Sequence, residues 1–166
     1  AWSDDLDYLV IDLPPGTGDV QMGLARMLPQ AEMLVVTTPA LAAQRVASRA
    51  VTMARKSHLH VLGVIENMSG LTCEHGTVQR VFGAGGGAAL AAEAEVPLIG
   101  SIPLEAAVSS GGDSGTPAVL GSGPAADAIV AITDRLVDEL APPVPMAGCS
   151  ARLLAAAEAA LDAADP

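Results

Sequence analysis

The 166-residue sequence predicts an α/β protein in which a doubly wound, mostly parallel sheet carries helices on both faces. Three observations predict it. Apolar runs at residues 8–13, 33–38, 61–65 and 98–102 lack the polar alternation of half-exposed strands, as expected of strands covered on both sides. The stretches between them span roughly 20 to 35 residues, enough for the crossover helix of a βαβ unit. The interior must be filled by Ala, Val, Leu and Ile, because 51% of residues are apolar yet Phe, Tyr and Trp occur once each.

Taken in order, the run at 8–13 is the first expected strand and delivers Asp12 at its end. A helix over 19–28 follows, with Asp19 as its cap. After the strand at 33–38, a helix over 41–56 places Leu41, Val46, Ala50 and Met53 at near-helical spacing. His58 and His60 precede the strand at 61–65 and are assigned no role. The next helix begins within the glycines of 83–87 and runs to residue 95, before Val96-Pro97 and the strand at 98–102. A last helix over 125–140 aligns Ile129, Ile132, Leu136 and Leu140 on one stripe. Ala141-Pro142-Pro143-Val144-Pro145 then reads as a linker. The expected domains are therefore residues 1–140 and a Pro-rich linker with an Ala-rich tail over 141–166, the tail's weak apolar stripe leaving docking, fraying and disorder open.

Nineteen acidic against eight basic residues give a formal charge of −11, which repels a phosphate backbone and argues against nucleic-acid binding. No apolar run approaches the roughly 20 residues that span a bilayer, and Ala1-Trp2-Ser3-Asp4-Asp5 has no basic n-region, so a cytoplasmic protein with no membrane contact is expected. Two cysteines, Cys73 and Cys149, are too few for a secreted disulfide framework, and reduced thiols are expected.

The informative residues follow the strands. In Asp7-Tyr8-Leu9-Val10-Ile11-Asp12-Leu13-Pro14-Pro15-Gly16-Thr17-Gly18-Asp19, a carboxylate at a strand end can hold a magnesium ion or its water, and Gly16 and Gly18 let backbone approach a phosphate closely. A purely structural turn is the plain alternative. The run Gly83-Ala84-Gly85-Gly86-Gly87 lacks the Gly-Lys-Ser/Thr ending of a phosphate loop and reads as the start of a helix. Gly111-Gly112-Asp113-Ser114-Gly115 reads as a turn.

The full string around Asp12, continued by Val35-Val36-Thr37-Thr38-Pro39, Gly63-Val64-Ile65-Glu66-Asn67-Met68-Ser69, Phe82 to Gly87, Val96-Pro97-Leu98-Ile99-Gly100-Ser101-Ile102-Pro103-Leu104 and the Gly111 to Gly115 segment, resembles the Mrp/ApbC iron–sulfur cluster carriers. These belong to the deviant Walker-A ATPases, which include MinD, ParA and the nitrogenase iron protein. The resemblance covers about residues 5 to 120. It implies a P-loop NTPase-like fold, incomplete at the N-terminus, with residues 1–140 a partial domain. It makes Asp12 the magnesium-site acid and Gly16 part of the catalytic turn at 14–18 that senses the γ-phosphate. It assigns Asn67 to hydrogen bonding with adenine, with the loop around Pro103 and Glu105 closing over the base. An amide suits that task, offering donor and acceptor together; a strand-end turn residue is the plain alternative for Asn67.

Two departures qualify what the resemblance implies. No Walker A or deviant Walker A sequence occurs in these residues, so nothing here supplies the lysine and stacked amides that neutralise transferred charge. The chain alone is expected not to hydrolyse ATP; the loop and its central strand are expected from another half of the protein. Relatives also place C-x-x-C after Asn-Met-Ser, so that two subunits share a [4Fe–4S] cluster. Here Thr72-Cys73-Glu74-His75-Gly76 keeps only Cys73, and a four-ligand site would need His75, Cys149 or an outside thiol. An ordinary surface thiol is the plain reading; Cys149 matches no family motif.

The expected function is an ATP- and magnesium-dependent carrier or scaffold in iron–sulfur cluster assembly, working as a homodimer on client apoproteins. A MinD- or ParA-like positioning ATPase and a nucleotide-independent interaction remnant are the alternatives. The lack of a basic amphipathic tail weighs against the positioning ATPase.

Overall fold

A computed structural model describes residues 6–14, 18–73 and 75–143. The chain forms two units, one of residues Ala1–Val10 with Pro143–Pro166, the other Ile11–Pro142. In the first, residues 6–10 adopt neither helix nor strand and are exposed. The second contains every described helix and strand. They run α1 (Asp19–Met27), β1 (Glu32–Thr37), α2 (Leu41–Lys56), β2 (His60–Asn67), β3 (Leu71–Thr72), β4 (Val78–Gln79), α3 (Gly86–Glu93), β5 (Leu98–Ile102), α4 (Ala106–Ser114) and α5 (Pro124–Arg135), closing with a π turn over Leu136–Leu140.

Three parallel strands in the order β1-β2-β5 make the sheet. The central strand β2 buries six consecutive residues from Val61 to Glu66. Its neighbours point to opposite faces, as the two-residue period requires. Val64 joins Val35, Ala47, Val51, Ala54, Leu90 and Ala91 in one core under α2 and α3, whereas Ile65 joins Ile99 and Ile132 in another under α5. Helices thus cover both faces of a parallel sheet, as the apolar runs predict.

Small residues set the spacing of these layers. A Cβ on Gly63 would lie 2.6 Å from the Pro97 carbonyl oxygen and 2.7 Å from Ile99 Cγ1. One on Gly100 would lie 2.5 Å from Ile132 Cγ1, so α5 rests against bare backbone of β5. Arg135, in the last turn of α5, donates from Nη1 to the Leu98 and Ile99 carbonyls at 3.0 Å each and pins the helix along the strand.

The expected strand at 8–13 is not formed. These residues straddle the boundary between the two units, no described strand pairs with them, and Val10 is 89% exposed. An apolar run becomes a strand only when a neighbour takes its backbone groups, which the run itself does not encode. Strand β1 also departs from two-sided cover: Val35 and Thr37 are buried, while Leu34 and Val36 on the other face are exposed.

The helices match their expected positions with local corrections. Gly18, not Asp19, occupies the α1 cap, and Asp19 sits in the first turn, where a carboxylate favours the helix dipole. The buried face of α2 is Ala47, Val51 and Ala54 with Met53, while Leu41 and Val46 are exposed. Alanines fit the close approach to β1 and β2 that larger side chains would prevent. Helix α4 is not among the expected helices; it takes up residues 111–114 of the expected turn as its last turn, and Gly115, at φ 70°, terminates it in the left-handed conformation that glycine adopts freely.

Candidate nucleotide-base site

Strands β2 and β5 are parallel, and their last residues, Asn67 and Ile102, are register partners. The segments leaving them therefore emerge side by side at the carboxyl edge of the sheet, where ligands of open α/β sheets gather. Two backbone hydrogen bonds stitch these segments together, Ser69 N–H to Ile102 O at 3.0 Å and Leu104 N–H to Gly70 O at 2.8 Å. Ser69 Oγ adds a third, to the Ile102 carbonyl at 3.2 Å. Between them lies a cavity of about 170 Å³ lined by Asn67, Met68, Pro103, Glu105 and Val108, among others. The structure thus brings Asn67, Pro103 and Glu105 to one cavity.

Local backbone explains how each is held. Met68 has φ 57°, so the chain turns sharply after β2, and Asn67 Oδ1 accepts the Met68 N–H at 2.8 Å. That bond fixes the amide plane and leaves Nδ2 with two donors, and Oδ1 with a second lone pair. Glu105 stands at the start of α4, and its Oε2 accepts the Ala125 N–H at 3.2 Å in the first turn of α5. Its carboxylate is therefore committed partly to a helix terminus. Ligand pockets for drug-sized molecules begin at about 300 Å³. A cavity of about 170 Å³ fits a planar base and leaves phosphates to be held elsewhere.

The residue that sequence reasoning missed is Glu66. It is only 6% exposed, and its Oε2 accepts the Gly87 N–H at 2.6 Å near the start of α3. At the glycine-rich start of α3 the Gly87 N–H is thus already taken by the protein's own carboxylate. A Cβ on Gly87 would lie 2.6 Å from Glu66 Cβ, and one on Gly86 2.6 Å from the Pro39 carbonyl. The available signal was a lone carboxylate inside an otherwise apolar strand, which must find a partner.

Of the other expected site residues, Asp12 and Cys73 do not line this cavity. Asp12 is exposed and in no strand. The carbonyl of Pro14 accepts the Gln21 side-chain amide at 2.6 Å, fastening the segment to α1, while Gly16 falls outside the described residues. Cys73 sits in the hairpin of β3 and β4, where its N–H donates to the Thr77 carbonyl at 3.0 Å and its carbonyl accepts the Gly76 N–H at 2.9 Å. The His75 backbone N–H, and then that of Thr77, hold its thiol below the ordinary cysteine range, against a smaller opposing effect of desolvation. Cys149 lies outside the described residues. Among the described residues no three His, Cys, Asp or Glu side chains converge on a metal-sized point, and no helix is long and apolar enough to cross a membrane.

Comparison with known proteins adds the lineage. The model of the ParA family described as NUBPL iron-transfer P-loop NTPase matches residues 1–138. The iron-sulfur cluster carrier protein of Mycobacterium tuberculosis is 53% identical over 124 residues, covering 71% of this chain and 32% of its own length. That of Escherichia coli K12 is 41% identical over 138 residues, covering 82% of this chain and 37% of its own. The chain thus spans about a third of the length of these curated relatives. Among solved structures, an Archaeoglobus fulgidus nucleotide-binding protein in complex with ADP aligns at a TM-score of 0.62 and 33% identity, over 71% of this chain and 49% of that one. The cell-division ATPase MinD of Pyrococcus furiosus aligns at 0.52 and 25% identity, over 68% and 45%.

Proposed function

From the premise that this chain belongs to the NUBPL-type iron-transfer P-loop NTPase family, we propose that its protein is an ATP-dependent carrier or scaffold for iron–sulfur clusters. In this reading the chain supplies the base-recognition wall and the switch segment, while the phosphate-binding loop comes from elsewhere in the protein. The observation that carries the reading is the common cavity of Asn67, Pro103 and Glu105 at the ends of two parallel strands.

The chain's own residues divide the work. Asn67, its plane set by the Met68 N–H, offers Nδ2 to a ring nitrogen acceptor and its remaining Oδ1 lone pair to an exocyclic amino group. Pro103 and Val108 cover apolar ring faces, and Glu105 anchors that wall to the start of α5. Asp12 is a carboxylate suited to a magnesium ion that keeps most of its waters and takes its other ligands from phosphates. Magnesium, when bound, neutralises charge developing on the transferred phosphoryl group. Occupancy would be sensed at the 14–18 turn and passed to a subunit interface.

The cluster is cargo. Cys73 is the thiolate available in this chain's hairpin, and its lowered pKa favours the ligating form. With one such thiolate among the described residues, the reading calls for a homodimer and further ligands, from which client apoproteins take the cluster. A reducing cytoplasm, where the thiol survives, suits this role.

The test is nucleotide affinity in the full-length protein. Asn67→Ala should weaken ATP binding by about tenfold, the cost of roughly one hydrogen bond left unmade, while leaving inorganic triphosphate binding unchanged. Equal weakening of both ligands, or of neither, would remove Asn67 from base recognition.

A further inference from the structure

Helix α2 runs against the charge of the whole molecule. It contains four of the chain's eight basic residues, Arg45, Arg49, Arg55 and Lys56, and no acidic one, in a protein of net charge −11. Arg55, though exposed, is committed to the Ala94 carbonyl, to which its guanidinium donates. The others, Arg45, Arg49 and Lys56, are exposed and make no ion pair among the described residues. With Thr52 they follow at steps of four, three and four, which places them in one row along the helix. Arg45 and Arg49 also line an open cavity of about 260 Å³ shared with Ser48 and Glu93.

A matching row lies on the opposite side of the sheet. Asp127, Ala131, Asp134 and Asp138 are exposed and follow at the same steps along α5 and into the π turn. Set antiparallel, the two rows oppose Asp138 to Arg45, Asp134 to Arg49, Ala131 to Thr52 and Asp127 to Lys56. Each cation meets a carboxylate, and the one neutral position meets the other. Both rows span about 16 Å at 1.5 Å per residue. Val46 and Val130, 48% and 44% exposed, flank them with apolar surface.

Within one chain the rows cannot meet, because α2 packs on the Val64 face of the sheet and α5 on the Ile65 face. We infer that the α2 row of one copy docks on the α5 row of a second copy. The favoured occupant is this chain itself, because its acidic row reproduces the spacing of the basic one, whereas an extended polyanion would meet the repulsion of the remaining surface. The contact is heterologous, with each copy offering a different face, so it propagates into chains or closes into a ring rather than stopping at a symmetric dimer. Three exposed pairs with limited apolar flanks make it weak and salt-sensitive, a mode of assembly at high local concentration. It is independent of nucleotide and of cluster.

Sedimentation velocity of the full-length protein tests it. Association beyond any symmetric dimer should weaken by about tenfold between about 50 and about 500 mM salt. R45E/R49E/K56E and D127K/D134K/D138K should each lose it, and mixing the two variants should restore a complex through the three reversed pairs. In a Cys73→Ser/Cys149→Ser background, differently tagged Arg49→Cys and Asp134→Cys chains should cross-link with each other. Association unmoved by salt or by charge reversal would overturn the inference. So would cross-linking confined to Arg49→Cys with itself, no association at all, or an α2 row that binds anionic vesicles or duplex DNA instead.

Discussion

Glu66 and Gly87 are joined by a 2.6 Å hydrogen bond from the Gly87 N–H to a buried carboxylate oxygen, tying the end of the central strand to the first turn of α3. Removing the acceptor leaves a buried N–H without a partner, at a cost of about 1–3 kcal/mol. Glu66→Ala should therefore lower the unfolding free energy by that amount, read as a lower urea midpoint at unchanged slope. Glu66→Gln, which keeps an accepting oxygen, should lose less. Equal losses in the two variants would show that the carboxylate's charge, rather than its shape or an accepting oxygen, matters there.

Gly63 offers a test of packing. A methyl group at this position of β2 would meet the Pro97 carbonyl at 2.6 Å, a backbone atom that cannot rotate away. Gly63→Ala should cost about 1–3 kcal/mol through overpacking, whereas Gly112→Ala, with nothing within 4 Å of its Cβ, should not destabilise. Chemical denaturation of the two variants separates the outcomes; a neutral Gly63→Ala would mean that β5 shifts freely.

The Cys73 thiol should ionise below the ordinary cysteine range, because the backbone N–H groups of His75 and Thr77 stabilise its charged form. For an acid whose folded pKa is lowered, the stabilising contribution exists above the unfolded pKa and disappears as pH falls through the folded value. The rate of alkylation of Cys73 should accordingly reach half its plateau at a lower pH in native protein than in protein unfolded by urea. A native midpoint at or above the unfolded one would contradict the hairpin geometry. In anaerobic reconstitution of the full-length protein, Cys73→Ser should lose the iron and sulfide bound per dimer; a cluster count equal to that of the parent would put the cargo elsewhere.

Asp12→Ala in the full-length protein should abolish magnesium-dependent ATP hydrolysis while sparing nucleotide binding through Asn67. Turnover retained by the variant would end the assignment of Asp12 to the metal.

Three strands and four of the described α-helices were legible because long apolar runs and helical periodicity are local properties; α4, with no buried residue to mark a stripe, and the short β3–β4 hairpin were not. The run at 8–13 was misread since strand formation depends on a partner elsewhere, and its two ends fall in different units. The buried face of α2 escaped because it is built from Ala47 and Ala54 rather than the larger Leu41 and Val46, and periodicity weighs bulk. The convergence of Asn67, Pro103 and Glu105 was legible as residue types following two strands, but the size of their cavity and the prior bond of Asn67 to Met68 follow from backbone geometry. Glu66 stood inside a quoted motif yet had no visible partner, since Gly87 lies 21 residues away in sequence.

The contact of Gly100 with Ile132 also constrains how this domain can vary over generations. The volume between β5 and α5 is shared by two positions, so an alanine at 100 is tolerable only where 132 has already lost its γ carbons, as in alanine. Drift at these sites must pass through the smaller helix residue first, and the order of substitution is as restricted as their identity.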